Sequence, residues 1–393
     1  FDFMDDRTVA QIAPSGAFLQ QFTLNNRNPL LSQALKDTVG LSAANPTATP
    51  YIGRRNVEGG GRQDDFRHTD YRAVIGAKGT LFQDTWDYNF WWQTGKNVQA
   101  RTYKNDFSVV RLGRAFDVVT SPTTGQPVCA SVVDGTDPAC VPYNIFNTGG
   151  VTPAALNYLQ APGFQNGFTA QGVVGLNARS DLGQAYGWTL PWAKEGIGVA
   201  FGIERRTEKL SQSVDIEFDT GDLAGQGGAT HGLSGQYNVK EFYAEARVPI
   251  AARQPWAYDL SMTASYRYSD YSTDVTTNSY GIGADWAPVK EGRVRGSYQR
   301  AVRAANIIEL FTQTGYNLWD GGDPCGASKS ATLAQCLTTG LKASQYGSAA
   351  LDSPAGQFNQ PVGGNATLKP ETAKTYTVGG VLQPSHSVMP ASP

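Results

Sequence analysis

The most restrictive feature of the sequence is a strict two-residue alternation of apolar and polar side chains. From Tyr258 to Tyr268 every even position is apolar or aromatic, while the odd positions from Asp259 to Ser269 are polar or charged. Side chains of a β-strand point alternately to its two faces, so this segment is predicted to form a strand with one apolar and one polar face. At about 3.4 Å per residue it is long enough to cross a bilayer at a tilt.

The same alternation recurs along the chain and predicts about nine long strands. The other candidates are residues 71–81, 86–98, 170–181, 197–204, 241–248, 280–286, 293–299 and 375–382. Aromatic residues stand at or near the ends of several of them, as in the aromatic girdles of membrane barrels: Trp86, Trp256, Tyr268, Trp286 and Tyr376. We therefore predict an all-β fold, the antiparallel wall of a transmembrane β-barrel.

The connections between these strands sort by length. Long stretches near residues 106–167, 213–235 and 304–369 fall on one side, together with the short connection at 270–274. The connections on the other side are residues 83–85, 182–194, 250–255 and 288–291. Outer-membrane barrels have long extracellular loops and short periplasmic turns, which this parity matches. Short helices are predicted within the long-loop segments at residues 28–36, 152–160, 331–338 and 343–346.

Composition excludes several other classes. Charged residues make up 17% of the chain, against about 25% in an average globular protein. The net charge of −2 gives no reason to expect a nucleic-acid partner. No apolar run approaches the roughly 18 residues of a membrane helix, which argues against a helical membrane protein.

Four cysteines form two equally spaced pairs in Gly-, Pro- and Ser-rich stretches. Cys129 and Cys140 make the first pair, and Cys325 and Cys336 make the second. A zinc site is a poor interpretation, because there is no Cys-x-x-Cys motif and no histidine nearby. Two local disulfides in exposed loops fit better than free thiols and would require an oxidising compartment.

Catalytic, metal and cofactor-binding sites find little support. His68, His231 and His386 lie in three separate settings, and for His68 a solvated strand end is favoured over a metal or acid–base site. The glycine-rich residues 221–228 lack the Lys-Ser/Thr of a phosphate loop, so a flexible loop is expected. Residues 320–323 lack the ligand spacing of a calcium loop.

Arginines on the polar strand face are expected to have a structural role. The candidates are Arg247, Arg267, Arg293, Arg295, Arg300 and Arg303. They are predicted to pair with inward carboxylates such as Glu241, Glu245 and Asp285, in preference to guiding an anionic solute.

Two stretches carry a specific resemblance to TonB-dependent receptors. Residues 293–311 are similar to that family's pattern R-G-x-x-x-x-A-x-R-A-P-N-x-x-E-L-F, and residues 363–379 to G-N-P-x-L-K-P-E-x-S-x-x-Y-x-x-G. The matching positions are Arg300, Arg303, Asn306, Glu309, Leu310 and Phe311 in the first stretch, and Leu368, Lys369, Pro370 and Glu371 in the second. Ala305 and Ala366 replace the usual prolines. Residues 54–62, 268–272 and 283–288 also resemble this family's barrel.

The resemblance implies a bacterial outer-membrane receptor that imports a scarce solute with energy from the TonB complex. Its partners would be the TonB complex (through a plug segment that this sequence lacks), outer-membrane lipid, and a small solute such as a siderophore, cobalamin, a glycan or a peptide. The family's barrel has 22 strands, so we expect this chain to be part of a longer protein. Exposed loop aromatics are candidate solute contacts: Phe107, Phe146, Tyr316 and Trp319.

The expected organisation is residues 1–65 as extracellular loop and the start of a barrel strand, residues 66–383 as partial barrel, and residues 384–393 as an irregular tail.

Three alternative classes of protein remain open. They are a passive porin-like or adhesin-like barrel, a soluble all-β carbohydrate-binding or lyase protein, and an outer-membrane hydrolase, which would need a nucleophile–His–acid set.

Overall fold

One antiparallel sheet of ten long strands dominates the computed structural model, which describes residues 1–353 and 356–383. The strands pair in chain order as a simple meander. Their bounds are β1 Asp2–Pro14, β2 Gly61–Leu81, β3 Trp86–Phe107, β4 Gln160–Asp181, β5 Gly198–Val214, β6 Leu233–Gln254, β7 Ala257–Tyr271, β8 Val275–Val289, β9 Gly292–Arg303 and β10 Glu371–Leu382. The all-β antiparallel prediction is confirmed, while the predicted tail at residues 384–393 lies outside the described residues.

The strand register separates the side chains into two chemically different faces. Tyr266 of β7 lies opposite Ala244 of β6 and Tyr280 of β8, so the apolar positions of neighbouring strands share one face. We call this apolar face the outer face and the opposite one the inner face. Outer-face side chains are well exposed, among them Ile75 at 67% and Ile203 at 57%. A groove of about 640 Å³ follows the polar inner face.

The connections alternate in length as expected. On one side, which we call the loop side, lie residues 15–60, 108–159, 215–232, 272–274 and 304–370. On the other, the turn side, lie residues 82–85, 182–197, 255–256 and 290–291. The parity inferred from the sequence is therefore present in the sheet.

The strand β1 is a correction to the expected organisation, in which residues 1–65 were loop and strand start. Asp2–Pro14 pairs with β2 along nearly its whole length, which gives ten strands where about nine were predicted. Charged residues interrupt the apolar positions on its outer face, since Arg7 pairs with Asp65 at 2.7 Å and Asp5 pairs with Arg67 at 2.8 Å. A strand held by ion pairs lacks the apolar alternation on which the prediction depended.

Helices and short hairpins occupy most of the long connections. The helices are α1 Gln33–Thr38, α2 Val109–Phe116, α3 Ala130–Val133, α4 Pro153–Leu159, α5 Leu182–Tyr186, α6 Ile216–Thr220, α7 Ile307–Phe311 and α8 Leu333–Leu337, with 3-10 turns at Val57–Gly59, Ala224–Gln226, Ala343–Gln345 and Ala349–Leu351. The hairpins pair Gly16–Gln21 with Tyr51–Arg55, Leu24–Asn25 with Thr47–Ala48, Val118–Thr120 with Pro127–Cys129, and Gly315–Asp320 with Gln357–Val362. The helix predicted at residues 152–160 forms as α4, with the Thr152 hydroxyl capping its first turn and Pro153 at its start. Across the described ranges, every helix is too short or too polar to cross a bilayer.

Candidate functional site

Three long connections pack together on the loop side into one compact body. We call residues 15–60, 108–159 and 215–232 the loop cap. Its core is aromatic, because Phe116 is fully buried between Phe22, Tyr143 and Phe146, with ring centroids 5.0, 5.6 and 6.2 Å away. The largest buried core of the described chain thus lies in the loops, while the apolar outer face of the sheet stays uncovered.

Asp106, near the end of β3, joins two segments of the cap to the sheet. Its buried carboxylate accepts hydrogen bonds from the Ser15 hydroxyl and from the Gly225 amide, the latter at 3.0 Å. Arg62 lies 4.0 Å from the carboxylate and donates to the Gly225 carbonyl at 3.1 Å. A Cβ at Gly225 would lie 1.6 Å from the Arg62 guanidinium, so any larger residue here would displace the Arg62 side chain from its present position. The segment predicted as a flexible glycine-rich loop is therefore packed tightly at this point.

The two disulfides join the cysteine pairs that the sequence spacing predicts. Cys129 bonds Cys140 and Cys325 bonds Cys336, with Cα–Cα distances of 6.0 and 5.8 Å. The four residues are at most 6% exposed, so the bridges are buried within their loops rather than placed at an exposed surface.

Asp137 holds the Cys129–Cys140 loop to two helices. Its Oδ2 accepts hydrogen bonds from the Tyr158 hydroxyl and from Arg114 Nη1, both at 2.8 Å. The hydrogen bond from Tyr158, assisted by Arg114, lowers the pKa of the Asp137 carboxyl. Burial, reinforced by the bond to Asp137, raises the pKa of Tyr158 to about 12. The pair is therefore a neutral phenol donating to a carboxylate at ordinary pH.

The two family-like stretches meet where β9 and β10 emerge on the loop side. Arg303 forms two hydrogen bonds with each of two carboxylates, Glu309 at 2.9 and 3.0 Å and Glu371 at 2.7 and 3.0 Å. We call these three residues the rim clamp. Hydrogen bonds from Arg303 lower the pKa of both carboxyls. The clamp closes the base of the connection formed by residues 304–370.

Helix α7 turns that connection inward from the rim. Asn306 and Glu309 form a reciprocal capping box at its start, with bonds of 2.9 and 2.8 Å. Ile307 and Leu310 are buried, and Gly235 of β6 leaves space for Phe311, since a Cβ there would lie 2.5 Å from its ring. The second stretch returns against the helix, where the Asn365 amide donates to the Glu309 carbonyl at 2.8 Å.

The other residues of the two family-like stretches make fewer contacts, and Arg300 lies on the outer face of the sheet, where it was not expected. Leu368 and Lys369 are exposed, and Pro370 is half-buried directly before β10. Arg300 was expected on the inner face, but the register places it opposite Tyr280, on the outer face, where it donates to the Asn278 carbonyl. The physical reason is the two-residue period, since Arg300 shares the even parity of the outer-face residue Tyr298.

The inner-face arginines pair with carboxylates, in agreement with the structural interpretation. Arg293 bridges Asp259 and Asp285 at 3.0 and 2.5 Å, and Arg295 also contacts Asp285. The other two pairs are Arg267 with Glu241 at 3.8 Å and Arg247 with Glu195 at 2.8 Å. Arg247 thus pairs with a carboxylate of the turn 182–197 and not with the expected Glu245.

A cavity of about 890 Å³ opens between the loop cap and the hairpin of Gly315–Asp320 with Gln357–Val362. We call it the vestibule. The cap contributes Phe18, Tyr51 and Arg55, with the Arg55 guanidinium 5.0 Å from the Phe18 ring centroid. The hairpin contributes Leu318 and Phe358. Aromatic faces beside a guanidinium can bind an aromatic or anionic group by stacking and by charge.

The four predicted contact aromatics divide between the cap core and the vestibule hairpin. Phe107 is 1% exposed inside the core, so its prediction as an exposed side chain is wrong; it ends a strand and continues the apolar packing beneath the loops. Phe146 is half-buried against the same core. Tyr316 and Trp319 are exposed on the hairpin, and Trp319 packs 6.1 Å from Phe358.

No sequence pattern marks Phe18, Tyr51 or Phe358 as neighbours, because their meeting depends on how separate loops pack. Residues 54–62 had a family-like pattern, and Arg55 within them lines the vestibule.

His68 lies inside β2, not at a strand end, with its ring stacked on Phe66 at 6.2 Å. Within the described part of the chain, no group of three or more His, Cys, Asp or Glu side chains is placed to hold a metal ion.

Comparisons with known proteins place the chain among β-barrels. A family model described as TonB dependent receptor-like, beta-barrel, matches residues 14–388. None of the curated proteins compared with the chain matches it. Similar solved structures include a mutant of the ferric enterobactin receptor PfeA from Pseudomonas aeruginosa in complex with enterobactin, at 14% identity and a TM-score of 0.38 over 85% of this chain and 34% of that chain. Another mutant of the same receptor gives 14% identity and a TM-score of 0.39 over 83% and 38%. The chain thus spans little more than a third of the length of these receptors.

Proposed function

Because the chain belongs to the family of TonB dependent receptor-like β-barrels, we propose that it forms part of a bacterial outer-membrane receptor that binds a scarce solute outside the cell and imports it to the periplasm with energy from the TonB complex. The family is one of receptors and transporters, not of enzymes. In this proposal the sheet is a share of the barrel wall, and the vestibule is the first contact for a small solute. The TonB complex would act through a plug segment elsewhere in the receptor.

The observation that carries the proposal is the contrast between the two faces of the sheet. Outer-face apolar residues such as Ile75, Ile203 and Ile282 are at least half exposed. Monomeric soluble proteins rarely expose a contiguous apolar surface of this extent, whereas a lipid bilayer would cover it. The inner face carries paired charges, which fits a water-filled or plugged lumen. A soluble carbohydrate-binding protein would leave the outer face without a partner.

The test uses cells that contain the whole receptor. Outer membranes are first separated, and the receptor is expected there, resistant to carbonate extraction and released only by detergent. Depletion of small solutes from the medium is then measured with and without TonB. We expect at least one solute to be depleted only when both the receptor and TonB are present. Depletion that is equal without TonB would favour the passive porin-like alternative and overturn the energy-coupled proposal.

A further inference from the structure

The vestibule is lined by two arginines, and the charge of only one of them is balanced within the described residues. Arg62 is buried, lies 4.0 Å from the Asp106 carboxylate and donates a hydrogen bond to the Tyr103 hydroxyl at 2.8 Å. Arg55 is exposed, and its guanidinium donates to the Pro14 carbonyl at 3.0 Å. Among residues 1–353 and 356–383, no carboxylate lies within ion-pair distance of Arg55. Most of its donors and its whole charge are therefore available to a ligand.

The Arg55 side chain is held in place by an aromatic ring. Its guanidinium lies 5.0 Å from the Phe18 ring centroid, and the guanidinium of Arg62 lies 5.4 Å from the same centroid. A guanidinium that stacks on a ring keeps the N–H groups along its edge for a carboxylate. The neighbouring Arg54 does not line the vestibule and pairs with Glu58. The arginine without a carboxylate partner is thus the one at the cavity wall.

The opposite wall of the vestibule is apolar. It is formed by Leu318 and Phe358 of the hairpin, and Phe358 packs 6.1 Å from Trp319. Leu318 seats the hairpin on the cap at Gly227, where a Cβ would lie 2.5 Å from the leucine side chain. An aromatic ring and an aliphatic side chain therefore face the cavity across from the cation, which suits a flat apolar group.

The charges at the vestibule indicate how much negative charge a ligand carries. In the described part of the chain, the carboxylate that lines the cavity is that of Asp352, which accepts a hydrogen bond from the Ala327 amide at 3.1 Å. A polyanion would meet one unpaired cation, Arg55, and would be repelled by Asp352. A neutral ligand would leave the charge of Arg55 unmatched. A single negative charge fits the cavity best.

We propose that the vestibule binds a small aromatic monocarboxylate, with the Arg55 guanidinium on its carboxylate and with Phe358 and Leu318 against its ring. A planar guanidinium can donate two parallel hydrogen bonds to a carboxylate. The volume of about 890 Å³ is in the range of cavities that enclose small organic ligands. The inference rests on the proposed function, for which it names the class of solute.

The test measures binding to the whole purified receptor in amphipol by isothermal titration calorimetry, with amphipol alone as the blank. The probe is naphthoate, an aromatic monocarboxylate with two fused rings. Naphthamide has the same rings without the charge and should bind roughly 10-fold more weakly. Decalin carboxylate has the charge and the same skeleton with saturated rings, and it should bind roughly 5-fold more weakly.

The variants separate the charge from the ring contact. Arg55→Gln should weaken naphthoate binding roughly 10-fold and leave naphthamide binding unchanged, which a general loss of structure would not do. Arg55→Lys keeps the charge without the planar donors and should restore part of the affinity. The matched control Arg27→Gln changes an exposed arginine of the cap that does not line the vestibule, and it should bind both probes as the parent does.

A second position covers the case in which the Arg55 variants fail to fold. Phe358→Leu removes an aromatic ring from the hairpin wall and should weaken naphthoate and naphthamide alike, so that the preference for the charged probe persists. Equal affinity of the parent receptor for naphthoate and naphthamide would overturn the proposal. Tighter binding of maltotriose or of a ferric catecholate complex than of naphthoate would also overturn it.

Failure of this inference can be told apart from failure of the proposed function. A receptor that depletes another solute only with TonB but does not bind naphthoate would contradict the inference alone. A receptor that binds naphthoate through Arg55 but takes it up equally without TonB would contradict the energy-coupled function and leave the inference standing.

Discussion

Arg303 and Glu371 face each other across β9 and β10, joined by hydrogen bonds of 3.0 and 2.7 Å from one guanidinium to both oxygens of one carboxylate. The same guanidinium holds Glu309, six residues further along the chain. Residues of two sequence stretches that are some sixty positions apart thus form a single contact. This gives a physical reason for their occurrence together, since the loop between them leaves and re-enters the sheet at one charge cluster.

The first prediction concerns Arg303→Ala. Without the guanidinium, Glu309 and Glu371 lose their shared partner and repel each other, so α7 should open more often while the strands stay paired. Hydrogen exchange of the Leu310 and Thr312 amides is expected to accelerate. The matched control is Arg300→Ala, which removes an arginine of the same strand that contacts neither carboxylate. If both variants exchange alike, the clamp does not hold the helix.

The second prediction concerns the Tyr158–Asp137 pair at high pH. The pKa of Tyr158 is about 12 in the folded cap, against about 10 in an unfolded chain. Its contribution to stability is therefore complete below pH 10 and is lost as the pH rises towards 12. Absorbance at 295 nm should show a late-titrating phenol that Tyr158→Phe removes. In Asp137→Asn that phenol should titrate earlier, because the neighbouring negative charge is gone, though burial keeps its pKa above the ordinary value. An unchanged titration in both variants would contradict the assignment.

Much of the wall was predictable from sequence because one short-range rule governs it. Two faces of opposite polarity impose a two-residue period, and segments such as residues 258–268 follow it throughout. The strand Asp2–Pro14 was not predicted because Asp5 and Arg7, which form ion pairs with β2, interrupt the apolar alternation on its outer face. In the candidate site, the spacing of Cys129 and Cys140 indicated their pairing, but the burial of Phe107 and the meeting of Phe18 with Phe358 depend on long-range packing that no local pattern records.

The third prediction concerns the cap core. Phe116 is fully buried among three aromatic rings, so Phe116→Ala removes a large side chain and leaves a cavity. The cap should lose about 3–5 kcal/mol of stability. Near-ultraviolet circular dichroism should report a lower melting temperature for the cap, with the far-ultraviolet strand signal retained. Phe146→Ala, at a half-buried position of the same cluster, should cost less. Equal losses for the two variants would argue against the core as described.

The fourth prediction compares the two disulfides. Each closes a loop with a sequence separation of 11 residues, so chain entropy gives each about 3 kcal/mol of stabilisation. The locations differ, since Cys129 and Cys140 belong to the cap core while Cys325 and Cys336 lie in the connection between β9 and β10. Replacing Cys129 and Cys140 by Ala should accelerate hydrogen exchange within the cap alone. The corresponding change at Cys325 and Cys336 should affect that connection alone, and spread of either effect into the other region would show that the two loop bodies unfold together.

The fifth prediction separates contact residues from packing residues. Trp319 is 46% exposed on the vestibule hairpin, whereas Phe107 is buried beneath the loops. Trp319→Ala should therefore weaken uptake of the receptor's solute by raising the solute concentration needed for half-maximal rate, with the melting temperature of the cap unchanged. Phe107→Ala should lower that melting temperature. It should reduce uptake only by lowering the amount of folded receptor, with the half-maximal solute concentration unchanged. The matched control is Trp188→Ala, an exposed tryptophan on the turn side, 60% exposed, which should change neither property. A normal uptake curve for Trp319→Ala would remove the hairpin from the solute path.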